Sequence, residues 1–62
     1  SAGISIELEE KYLEKIASDY KAGKVRAGIW AKALIEAEGD ETKAHALYLK
    51  MMLMIALNDT KL

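Results

Sequence analysis

His45 is the only histidine in the 62-residue chain. Glu41 stands one helical turn before it, and Glu38 is close by in sequence. An imidazole with two carboxylates can hold a divalent metal loosely, but a zinc site takes three or four ligands in fixed geometry. No cysteine is present to complete such a set. His45 therefore reads as a helix-surface residue beside an apolar patch, and no metal is expected. Ser5 and Ser18 are candidate nucleophiles by type, yet neither has a histidine near in sequence to act as its base. Ser5 reads instead as a helix cap. The carboxylates fall on polar faces or near caps, except Glu9, which lies toward an apolar stripe at a helix start. There it is expected to bond amides or reach solvent rather than act as a tuned acid. The chain is accordingly read as a non-enzyme with no cofactor and no small-molecule substrate.

Lys21, Lys24, Arg26 and Lys32 gather around one joint and could touch phosphates. The helix that would have to read bases is "ETKAHALYLKMMLM", which lacks the Arg, Asn and Gln that address base edges. A net charge of −1 supplies no field to gather a polyanion. Solvated charge near helix ends is the better account, and a small nucleic-acid-binding helical domain is kept only as a low-weight alternative. Trp30, Tyr12, Tyr20 and Tyr48 could form an aromatic cage. Their helical spacing assigns them to a core, and so small a chain would lose that core by enclosing a drug-sized pocket of about 300 Å³.

These side chains must be positioned by helices. Proline is absent, and Gly23 and Gly39 look like helix stops. The first helix is expected from about Ser5 to Ala22. Ser5 caps it, and Glu7, Glu9 and Glu10 sit at the positive end of its dipole. Ile6, Leu13, Ile16, Ala17 and Tyr20 share its apolar stripe, flanked by Tyr12, while Glu7 and Lys11 are spaced for an i,i+4 ion pair. The second helix is expected from about Arg26 to Glu38, without a capping side chain at its start. Trp30, Ala33, Leu34 and Ala37 make its central face. Ala27 and Ala31 lie beside them to admit a close neighbour, and Ile29 and Ile35 sit at the edges. The third is expected from Glu41 to about Leu57, capped by Asp40. Short joints between the segments favour antiparallel neighbours or a corner. The expected fold is all-α, a compact three-helix unit with helices at about 5–22, 26–38 and 41–57. Residues 1–3 read as a cloning remnant or disordered start, and residues 4–62 as a single helical domain.

The third segment ends in "LYLKMMLMIAL", Leu47–Leu57, in which ten of eleven residues are apolar. The run is far short of the ~20 residues that cross a bilayer. On a helical wheel Ala44, Leu47, Tyr48, Met51, Met54 and Ile55 cover one face, which is already an ordinary core stripe. The opposite side holds Ala46, Leu49, Met52, Leu53, Ala56 and Leu57. A helix apolar all round is usually buried all round, and two modest helices would struggle to surround it. Burying Leu49, Met52, Leu53 and Leu57 in both copies of a symmetric dimer gains about 12–24 kcal/mol gross. Association costs about 4–15 kcal/mol. Leu49, Met52, Leu53, Ala56 and Leu57 are therefore the candidate interface of a homodimer. Docking of a monomer on another protein or, with less support, on a membrane surface is the alternative, and the plain reading beside both is a bundle that wraps its third helix more completely than a wheel suggests.

Residues 20–49, "YKAGKVRAGIWAKALIEAEGDETKAHALYL", resemble a short helical module of uncharacterised bacterial proteins. The shared pattern is an aromatic residue, a glycine-containing joint, Trp-Ala-Lys-Ala, a Gly-Asp-Glu turn, then Lys-Ala and a tyrosine. It falls here on Tyr20, Gly23, Gly28, Trp30, Ala31, Lys32, Ala33, Gly39, Asp40, Glu41, Lys43, Ala44 and Tyr48. The resemblance implies a helical module and no reaction. Two positions depart from it. Ala27 stands where proline is common, and the end of the third helix, usually polar and Arg-containing, is here "MMLMIAL". The second departure points to a distinct partner for this chain or to an engineered surface.

No basic stretch followed by an apolar core marks a signal peptide, and the lack of cysteine suits the cytosol. The expectation from sequence is a cytoplasmic, non-enzymatic interaction and oligomerisation module.

Overall fold

The structure, a computed structural model, describes residues 5–59. The expectation for residues 1–3 lies outside them. The described chain is three α-helices: α1 (Ile6–Lys21), α2 (Ala27–Glu36) and α3 (Glu41–Asp59).

Capping chemistry sets most of these boundaries. The Leu8 amide donates to Ser5 Oγ at 3.0 Å and the Lys43 amide to Asp40 Oδ1 at 3.1 Å, so both capping oxygens satisfy an amide that the helix leaves orphaned. Helix α1 closes with the Gly23 amide donating to the Tyr20 carbonyl and the Lys24 amide to the Asp19 carbonyl. That is a Schellman turn, and it needs a left-handed residue just past the cap. Gly23 supplies it at φ +80°. Helix α2 closes the same way, with Glu38 donating to Ile35 and Gly39 to Leu34. Here the register is shifted by one. The position that favours glycine is taken by Glu38, at φ +54°, and Gly39 follows it at φ +85°. Gly39 is thus the second residue of the stop rather than the first, and α2 ends two residues before the expected Glu38.

Helix α3 is the axis of the molecule. Tyr20 near the end of α1 lies against His45 and Tyr48, while Tyr12 and Ile16 lie beside Met52, Ile55 and Ala56, so α1 runs antiparallel to α3. Helix α2 is also antiparallel. It joins α3 through the 37–40 turn, and its starting residue Arg26 reaches Tyr48. No Cα of α1 comes within 8 Å of one in α2; the Tyr20 and Trp30 rings bridge them, 6.1 Å apart.

The buried core is small: Ala33, Ala37, Ala44 and Tyr48 in one cluster, with Ile16 on the α1 side. The close approach of α2 to α3 is made by Ala33, Ala37 and Ala44, whereas Ala27 and Ala31 are exposed. Several stripe positions also turn outward. Ile6 is 81% exposed, Ile35 77% and Met54 59%, and Ala17 is exposed as well. Ile6 opens α1 and sits beyond the reach of α2. Met54 lies past the level of Tyr48, where α2 has already begun and offers no further cover. The expected Glu7–Lys11 pair is not formed. The described ion pairs are Lys15–Asp19 at 3.1 Å and Lys32–Glu36 at 3.3 Å, both well exposed and worth a few tenths of a kcal/mol.

Candidate functional site

The chemistry-bearing residues separate into an aromatic cluster and an apolar helix surface. Tyr48 is the hub of the first. Its ring is buried, with Trp30 edge-on at 5.9 Å and Tyr20 tilted at 5.7 Å, distances at which aromatic pairs add about 0.5–1.5 kcal/mol beyond burial. His45 is half-buried and stacks on Tyr20, with centroids 4.2 Å apart and 15° between planes. It is therefore part of the aromatic packing rather than a free surface residue. The Tyr48 hydroxyl accepts from the Arg26 amide at 3.0 Å. Sequence inspection found no cap for α2, and this is the group that fills the role.

Among the described residues, no three histidine, cysteine or acidic side chains gather as metal ligands. Ser5 is occupied in capping α1, Ser18 is exposed, and Glu9 is half-buried. Lys21, Lys24, Arg26 and Lys32 are all exposed. No described helix is long and apolar enough to cross a membrane.

The apolar surface is more divided than a wheel shows. Of the ten apolar residues from Leu47 to Leu57, Tyr48 alone is buried; Met54 is exposed and the rest are half-buried. Met52 and Ala56 do not face away from the bundle. With Ile55 and Asp59 they form the α3 wall of a groove of about 360 Å³, whose α1 wall is Tyr12, Lys15, Ile16 and Asp19. Leu49 packs partly against the core cluster. Helix α2 meets α3 where Ala33 and Ala37 pack with Ala44 and Tyr48, with Leu47, Leu49, Met51 and Met52 against that cluster, and α1 meets α3 near His45, Met52 and Ala56. At about 100° per residue, the arc left between those two contacts holds Ala46, Leu49, Lys50, Leu53, Met54 and Leu57. Lys43 and Lys50 are both exposed and lie within that arc, between Leu57 and Met54.

No family model, curated protein or solved structure matches the chain.

Proposed function

We propose that this chain is a non-enzymatic interaction module that self-associates as a homodimer through α3. One observation carries this: a run of ten apolar residues on α3 of which Tyr48 alone is buried. Apolar surface left beside water is the usual driving force for association. Leu49, Leu53 and Leu57, four residues apart, provide the repeating contact, and Met54 adds an adaptable edge. The helical segment resembling a bacterial module would then be the scaffold, and its unusual apolar end the element that selects the partner. A cytoplasmic setting fits a chain without cysteine.

Light scattering across a range of concentrations, at low and high salt, tests the proposal. A mass rising from 6.9 kDa toward twice that value at both salts supports it. A constant monomer mass refutes self-association and leaves docking on a different protein as the role of α3.

A further inference from the structure

We infer that the groove between α1 and α3 binds a small amphiphile with an apolar body and an ammonium head. The body lies over Ile16, Met52, Ile55 and Ala56, and the head sits between Tyr12 and Asp59. This goes beyond self-association and uses a different part of α3 from the arc of Leu49, Leu53 and Leu57.

Shape admits the body. Met52, Ile55, Ala56 and Asp59 face Tyr12, Lys15, Ile16 and Asp19 across about 360 Å³. Small-molecule sites span about 300–1,000 Å³, so the groove holds a compact ligand and no more. Helix α2 leaves this space uncovered. It packs Ala33 and Ala37 against Ala44 and Tyr48, and the groove begins one turn further along α3, at Met52. The lining is apolar where the body would rest: Ile16 is buried, and Met52, Ile55 and Ala56 are half-buried. Because the groove is open to solvent rather than enclosed, it takes nothing from the core.

Charge selects the head. Lys15 and Asp19 pair at 3.1 Å, which offsets their charges and draws Lys15 toward the Asp19 end. Asp59 is exposed and has no ion pair among the described residues. It is the last residue of α3, whose final turn carries no basic side chain and ends in carbonyls without helical partners, the negative end of the dipole. Since α1 runs antiparallel to α3, Tyr12 shares this end of the groove. The start of α1 adds Glu7, Glu9 and Glu10 against Lys11 at the same end. An aromatic face beside a carboxylate in a negative field attracts an alkylammonium. An anionic head would meet Asp59 at one end or Asp19 at the other.

Phenylbutylammonium, phenylbutanol and phenylbutyrate share one body and differ in charge. Each is titrated into the parent chain while NMR follows the methyl signals of Ile16, Met52, Ile55 and Ala56. The alcohol should move these signals at millimolar concentration. The ammonium should bind about five-fold more tightly than the alcohol, and the carboxylate more weakly. Asp59→Asn, at an exposed helix end, should lower the ammonium to the alcohol's affinity and leave the alcohol unchanged. The same order should appear at protein concentrations where light scattering gives a monomer and where it gives a dimer. A parent that never dimerises refutes self-association alone, and the order among the probes still decides the groove. Equal affinity for all three, an ammonium that moves no groove methyl, or an ammonium preference that survives Asp59→Asn overturns the inference.

Discussion

The Tyr48 hydroxyl stands 3.0 Å from the Arg26 amide, twenty-two residues away in sequence. A side chain from the middle of α3 thus holds the start of α2, where the chain supplies no local cap. The same tyrosine is the buried centre of the core cluster and carries the Trp30 and Tyr20 rings. One residue therefore joins all three helices. Tyr48→Phe keeps the ring and removes the acceptor, so it should cost about 1 kcal/mol. Chemical denaturation measures the loss, and hydrogen exchange should quicken at the Arg26 amide more than at the Leu8 amide, which Ser5 still caps.

Trp30 is half-buried rather than sealed, yet its indole spans the gap between α1 and α2 beside Tyr20 and Tyr48. Trp30→Ala should cost about 3 kcal/mol, the low end for removal of a large aromatic. In a domain so small that loss should be visible as a lower melting temperature. An unchanged melting temperature would place Trp30 outside the packing.

Glu38 and Gly23 fill the same left-handed position in the two helix stops, with φ +54° and φ +80°. A side chain there costs roughly 1–2 kcal/mol. Glu38→Gly should recover about 1 kcal/mol, and Gly23→Ala should lose about as much. At Gly23 an added Cβ meets nothing within 4 Å, so the loss would report backbone strain and not a clash. Paired urea titrations give both values.

Ala27 is the first residue of α2 and is exposed, following Arg26 in extended conformation at ψ 106°. Proline suits a first helical position and tolerates an extended residue before it. Ala27→Pro should stabilise the chain by about 0.4–1 kcal/mol by restricting the unfolded chain. A fall in the denaturation midpoint would show that the α2 start has a different backbone requirement.

The three helices were legible because their signals are local: Ser5 and Asp40 are oxygen-bearing caps, Gly23 is a stop, and apolar spacing marks the faces. What stayed hidden depends on partners distant in sequence. No local feature ties Arg26 to Tyr48, or His45 to Tyr20. The stop at Glu38 was concealed by Gly39 beside it, since a glycine draws the eye to its own position. On α3 a wheel treats Met52 and Ala56 as equivalent to Leu53 and Leu57. The placement of α1 separates them, putting the first two in a groove. Ile6 and Met54 carry the right period for a core face, but the covering helices end or begin elsewhere.

The central claim concerns α3, and sedimentation equilibrium tests it most directly. The parent chain should move from 6.9 kDa toward twice that mass as concentration rises. The double variant Leu49→Glu/Leu53→Glu puts carboxylates into the contact, where burying an unpaired charge is strongly unfavourable. It should remain at the monomer mass at concentrations where the parent is dimeric. A parent that holds the monomer mass throughout, or a double variant that dimerises as well as the parent, would contradict the account.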